Sequence, residues 1–154
     1  MLHDILTTQD VTRSRIHVRM LAGDYPCFAY IGSELSDKCC KLCQVLRPQS
    51  LPPVEDMVHL VASCRATADT RTRVLPDLLN LVSQCYPYNQ ILAEPNQTQV
   101  TQFILDPTSL NLPVNIRISS SSKNLHKVIK VCRNICYSIH KDRTKQLKNL
   151  IYIF

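Results

Sequence analysis

The clearest hydrophobic rhythm in the chain lies near its C-terminus, where Leu125, Val128, Ile129, Cys132, Ile135, Cys136 and Ile139 recur at intervals of three and four. That spacing gathers apolar side chains on one side of an α-helix and predicts an amphipathic helix over residues 124–140. Earlier segments carry start and stop signals. Ser33 stands where it can cap a helix over 34–46, with Glu34 and Asp37 in its first turn and Pro48 limiting its end. Pro53 suits a first helical position, Glu55 and Asp56 favour the positive helix end, and Val54, Met57, Val58, Val61 and Ala62 form an apolar stripe, predicting a helix over 53–66. Leu75, Leu78, Leu79 and Val82 predict another over 75–86, beginning near Pro76 and ending before Pro87.

Three segments are less decided. In Val11–Leu21 the apolar residues fit both a strand and a helix, and Gly23, placed as a left-handed helix terminator, favours the helix. The stretch Thr98–Asp106 fits either element, and Val114, Ile116 and Ile118 alternate with polar residues as in a strand. Any sheet is therefore expected only as short pieces near 99–105 and 112–119. The pattern as a whole predicts a mainly α, single small helical domain over 1–154. Within it, 87–123 reads as a loop-rich connector and 124–154 as a basic C-terminal helix.

Composition narrows the chemistry. With 45% apolar and 19% charged residues the chain is of globular type. Its two glycines, Gly23 and Gly32, cannot assemble a dinucleotide-binding or Walker-type phosphate loop. The first thirteen residues lack a basic stretch followed by an apolar run, so a secretory signal is not expected, nor is a membrane span. Asn96-Gln97-Thr98 fits a glycosylation sequon, to which no role is assigned in the absence of export. The net charge of +6 is concentrated between Lys123 and Lys148, where eight basic residues face only Asp142, while the remainder of the chain is close to neutral. A basic helix face is either plain solvated surface or the footprint of a nucleic acid or another anionic surface.

Eight cysteines remain to be placed. In a reducing compartment, clustered cysteines more often bind metal or react than form disulfides. Cys40 and Cys43 make a C-x2-C pair, and His59 and Cys64 follow as H-x4-C. Two thiolates from one turn and a His and Cys from a second segment can complete a tetrahedral zinc site. Cys39 is a competing ligand. Cys132, Cys136 and His140 share one helix side but lie among aliphatic residues, which favours core packing. Cys27 and Cys85 have no evident partner.

At these residues the chain resembles the cysteine-rich, zinc-binding C-terminal region of non-LTR (LINE-type) retrotransposon reverse transcriptases. The likeness runs through "RMLAG" (Arg19–Gly23), Cys40 and Cys43, the acids Glu55 and Asp56, His59 and Cys64, Arg71 or Arg73, and the tail "ICYSIHKDRTKQL". The part that resembles the zinc-binding region is 11–86. The spacer between Cys43 and His59 is longer than that family's usual one. The resemblance implies a zinc ion on Cys40, Cys43, His59 and Cys64, and contact with RNA or DNA through Lys127, Lys130, Arg133, Lys141 and Arg143. It implies no catalysis by this chain alone, because the paired-aspartate polymerase motif is missing. Two other readings stay open: a helical protein-interaction or secreted, disulfide-bonded cytokine-like module, and a non-functional remnant of such an element.

Overall fold

The computed structural model describes residues 8–48, 51–85, 96–107 and 122–151, and among these it forms seven α-helices, one wide π-helical turn and one tight 3-10 turn. In chain order they are α1 (Thr8–Leu21), α2 (Phe28–Ile31), α3 (Leu35–Lys38), α4 (Lys41–Leu46), a π-helical turn (His59–Ser63), a 3-10 turn (Arg65–Thr67), α5 (Ala68–Cys85), α6 (Gln97–Leu105) and α7 (Ser122–Ile151). The mainly α class expected from the pattern is what the chain adopts. Among the described residues the only β-type pairing is an isolated bridge between Cys39 and Val54, and no helix is long and apolar enough to cross a membrane.

Helix α7 is the element on which the others pack, chiefly α1 and α5. Its inner face, Val128, Cys132, Ile135, Cys136 and Ile139, is buried against Ile16 and Met20 of α1, Leu60 and Val61 of the π turn, Leu78 of α5 and Phe103 and Ile104 of α6. The periodicity read over 124–140 thus marks the core face, and the helix runs on to Ile151. Beyond Ile139 its apolar residues change partner. Leu147 and Leu150 pack on a second, smaller cluster formed by Cys40, Leu42, Cys43 and Cys64.

Residues 11–21 are helical. Gly23, at φ 72, ends α1 with a pair of hydrogen bonds from Gly23 N–H to Met20 O and from Asp24 N–H to Arg19 O, the left-handed closure that glycine adopts without steric cost. Other boundaries differ from expectation. The helix expected over 34–46 is broken at Cys39 and Cys40, both extended (ψ 147 and 107). Their backbone is used across the chain instead: Cys40 N–H bonds Pro53 O, and Glu55 N–H bonds Lys38 O. The same pairing holds Val54 extended, so the helix expected over 53–66 begins only at Met57. Helix α5 begins at Ala68, ahead of the expected 75, and carries Pro76 inside it. An interior proline costs about 3 kcal/mol, and burial of Thr70, Arg71 and Leu78 on either side offsets it.

The strand option for 99–105 is corrected to helix, which also places an element within the expected connector. Asn96 caps α6 by accepting from Gln99 N–H at 2.8 Å, and Val100, Phe103 and Ile104 turn toward the core at helical spacing. The strand expected near 112–119 lies outside the described residues.

One buried ion pair crosses this architecture. Arg143 of α7 donates to Glu55 Oε1 and, at 3.1 Å, to Pro26 O; the Glu55 side chain is 0% and the Arg143 side chain 7% exposed. The rings of Phe28 and Tyr25 lie against the guanidinium at 5.3 and 5.6 Å. Burial disfavours the arginine's charge, but the hydrogen bond and charge of Glu55 more than offset this and raise its pKa. Removing one partner strands the other charge. Arg143→Met should therefore destabilise the fold by about 3–5 kcal/mol, while the double variant Glu55→Met with Arg143→Met recovers much of that loss. Urea unfolding of the wild type, both single variants and the double variant measures both effects, and additive losses would contradict the coupling.

Candidate metal centre

Four side chains from two segments meet at one point. Cys40 and Cys43 sit at the start of α4, one turn apart, with the turn closed by Gln44 N–H on Cys40 O. His59 and Cys64 come from the opposite segment. Residues five apart on an α-helix are offset by roughly 140° around its axis. Here the chain forms a π turn, with Cys64 N–H bonded to His59 O at 2.6 Å, which brings the two toward the same side. Asp56 holds the beginning of this turn by accepting from His59 N–H at 2.7 Å.

The ligand atoms are close to the separations a tetrahedral ion requires. Cys40 Sγ lies 3.9 Å and Cys43 Sγ 3.7 Å from Cys64 Sγ, and His59 Nε2 lies 3.5 Å from Cys43 Sγ. All four atoms are within 4.8 Å of one another, and all four residues are buried. Metal bonds of ~2.3 Å to sulfur and ~2.0–2.1 Å to nitrogen, at tetrahedral angles, require roughly 3.8 Å between sulfurs and about 3.6 Å from sulfur to nitrogen. The residues fit a metal ion. The ring's other nitrogen, Nδ1, is 3.4 Å from Ser63 Oγ, a contact that leaves Nε2 to face the thiols.

The electrostatics favour thiolate at this point. Hydrogen bonds from Cys40, and then from His59 and Cys43, hold the Cys64 thiol well below its ordinary pKa, outweighing burial. The same Cys40–Cys64 contact, followed by burial, pushes Cys40 up, so the two sulfurs titrate as a pair that shares one proton across the contact. Arg71 is buried nearby. Burial lowers its pKa, while the Cys64 and Cys43 charges favour its charged form, and its Nη1 donates to Thr67 Oγ1 at 2.8 Å. Thr67 Oγ1 in turn donates to Cys64 O.

Cys39 stays out of the cluster, with its Sγ–H directed to Leu35 O at 3.2 Å. Cys132 and Cys136 are core residues as anticipated, and His140 Nδ1 shares a hydrogen bond with Tyr25 Oη at 2.8 Å. The seven described cysteines are free. Cys85 has no described side chain.

The basic residues divide. Lys127, Lys130 and Lys141 are exposed, as are Lys145 and Lys148, which the expected nucleic-acid set omitted. These five lie within about 60° of one another on a helix of ~3.6 residues per turn and span ~32 Å along it. Arg133 is half-buried at the edge of this face, with a buried Nε close enough to α1 to bear on His17. Arg143 is removed from the set, because it faces inward on Glu55. A helical projection of the tail shows the same division, since Arg143 falls on the side of Cys132, Cys136 and Ile139.

No protein-family profile, curated protein or solved structure matches the chain.

The purified protein should hold one metal ion per chain by elemental analysis. Serine at Cys40, Cys43 or Cys64, or alanine at His59, should lower that content sharply, while Cys39→Ser and Cys132→Ser should leave it unchanged. Retention of a full equivalent by Cys43→Ser would contradict the ligand set. Because Leu147 and Leu150 rest on the cluster, chelation should also loosen the end of α7, read as faster amide exchange there than around Cys132.

Proposed function

We propose that this chain is a non-catalytic, zinc-stapled module that grips the phosphate backbone of RNA or DNA. The observation that carries the reading is the division of α7. Its inner face packs on the cysteine cluster and the core, while five lysines stand in line on its outer face. Three thiolates and an imidazole at tetrahedral spacing suit zinc, and four protein ligands close the coordination sphere, the arrangement of a structural rather than a catalytic ion. Zinc here would supply rigidity. It would fix α4 and the π turn, and through them the end of the helix that carries Lys141, Lys145 and Lys148.

The resemblance to the C-terminal region of non-LTR reverse transcriptases supports the same reading and suggests a role as the nucleic-acid-gripping tail of such an enzyme. Lysines on a stem are point charges suited to phosphate contact, and phosphate contact positions a protein without reading sequence. Stacking on unpaired bases has little support, since Tyr137 is the only aromatic among these residues and belongs to the packed side.

A second reading, a protein-docking module, has one observation in its favour: an apolar groove of about 820 Å³ lined by Phe28, Val45, Pro48, Leu147 and Leu150. The two readings respond differently to salt. For nucleic acid gripped at about five phosphates, log affinity should fall against log salt with a slope of roughly −3.5 to −4.5. The triple variant Lys141→Glu, Lys145→Glu and Lys148→Glu should flatten the slope by about two to three and weaken binding to all sequences alike. Fluorescence anisotropy with labelled oligonucleotides of differing sequence measures both. Absence of binding at low salt by folded, zinc-loaded protein would refute the proposal.

A further inference from the structure

The three cysteines of the metal centre differ in their access to solvent. Cys40 and Cys64 have no exposed surface, whereas Cys43 retains 7%. Cys43 also forms part of the wall of a cavity of about 390 Å³, which Leu51, Pro52, Pro53 and His59 help to line and which no other described cysteine borders. We infer that Cys43 is a peroxide-sensitive modification site: hydrogen peroxide entering this cavity oxidises it, and Cys64 then closes a disulfide on it that dismantles the metal centre. The inference rests on the reading of the cluster as a zinc site and is independent of the nucleic-acid reading.

Access and proximity carry it. Hydrogen peroxide has two heavy atoms, and a water molecule takes up ~30 Å³ of liquid, so the cavity admits the oxidant with room to orient it. The Cys43 thiolate attacks one peroxide oxygen, the O–O bond breaks, and hydroxide leaves with the bonding pair, giving the sulfenic acid of Cys43. Cys64 Sγ lies 3.7 Å from that sulfur. Its thiolate attacks Cys43 Sγ, the S–O bond breaks, and a second hydroxide leaves as the disulfide forms. Two thiolates have then given up two electrons and one peroxide has taken them, so no further reactant is needed.

The other described cysteines lack one of these two conditions. Cys40 is 3.9 Å from Cys64 but borders no open space. Cys39 directs its Sγ–H to Leu35 O, and Cys27, Cys132 and Cys136 lie in the main core without exposed surface. Oxidation of a cysteine follows both its thiolate character and its access, and Cys43 combines access with a second sulfur near enough to trap the sulfenic acid.

The product is incompatible with the metal site. Disulfide sulfurs carry no charge, so Cys40 and His59 alone remain as ligands, too few to close a tetrahedral sphere. The bond also draws the two sulfurs from 3.7 Å to ~2.05 Å, pulling α4 toward the end of the π turn. Leu147 and Leu150 rest on this cluster, so the end of α7 loses the support of a metal-held base.

The test uses the zinc-loaded full chain, the same chain stripped of metal, and Cys39→Ser as a control that keeps all four ligands. Hydrogen peroxide is added, a chromogenic chelator reports released zinc, and dimedone traps sulfenic acid. Mass spectrometry after cleavage at Glu55, which separates Cys43 from Cys64, locates each product. The inference expects dimedone on Cys43 ahead of the other described cysteines, then a Cys43–Cys64 disulfide, with zinc released in step. Amide exchange at the end of α7 should become faster than around Cys132, dithiothreitol with added zinc should reverse every change, and Cys39→Ser should behave as the wild type. If the zinc-loaded chain is oxidised first at another described cysteine, if Cys43 pairs with any sulfur but Cys64, or if the disulfide forms with zinc still bound, the inference falls and the zinc reading stands. If the chain binds no zinc yet peroxide joins Cys43 to Cys64, the modification site stands and the zinc reading falls. If Cys43 is oxidised in neither form, the inference is overturned.

Discussion

Glu55 ties together three parts of the chain: the segment around α2, the end of α3, and α7. Its N–H bonds Lys38 O, its carbonyl accepts from Ala29 N–H, and its side chain accepts from Phe28 N–H and from Arg143. A carboxylate with no exposed surface is costly in isolation, and here its charge is tolerable because a guanidinium shares the site and aromatic rings close around it. The position of the extended strap that separates the two metal-ligand pairs follows from this. Were Glu55 held elsewhere, Cys39 and Val54 would lose their bridge, and Cys40 would lose the Pro53 carbonyl that fixes its backbone.

That constraint explains how one long helix serves two cores. Near Cys132 and Ile135 the inner face of α7 is held by dispersion and burial alone, the ordinary means of helix packing. Past His140 the apolar surface thins and polar anchors take over. Arg143 meets Glu55, Thr70 donates to Asp142 at 2.6 Å, and Gln146 reaches both Ala66 O and Asp142. Polar anchors are directional, so they fix the rotation of the helix about its axis as well as its distance. Rotation decides which residues face water, and the alignment of Lys141, Lys145 and Lys148 on the outside follows from the inward commitments of Asp142, Arg143 and Gln146.

The sequence carried the core helix and the convergence of Cys40, Cys43, His59 and Cys64 because both are written in spacing. An i, i+3, i+4 rhythm and a C-x2-C with H-x4-C survive whatever the rest of the chain does. What it did not carry are features set by partners distant in sequence. Nothing local to Cys39 and Cys40 opposes a continuous helix over 34–46; the interruption comes from hydrogen bonds to Pro53 and Glu55. Pro76 is a helix-start signal when read locally, yet α5 passes through it because residues on both sides are buried. Arg143 looked like one more cation of a basic tail. A projection of the helix would have turned it inward, but only the fold could supply the Glu55 that makes an inward arginine tenable.

The cysteines show how far environment, rather than residue type, sets chemistry. Cys132 lies among aliphatic side chains, and burial pushes its thiol up to about 12; Cys136, one turn on, is raised further by the same cause. Cys27 is also pushed up to about 12, by burial and then by the Glu55 charge. These thiols stay protonated and pack as small apolar groups. Cys64 is equally buried, yet donors converge on its sulfur and lower its pKa instead. The difference lies in what a buried sulfur faces: methyl groups offer a thiolate nothing, whereas two thiols and an imidazole offer it hydrogen bonds now and a shared cation when a metal binds. Among the described residues, a cluster able to hold a metal ion is therefore confined to Cys40, Cys43, His59 and Cys64, because the core disfavours the charged form of sulfur wherever polar partners are missing.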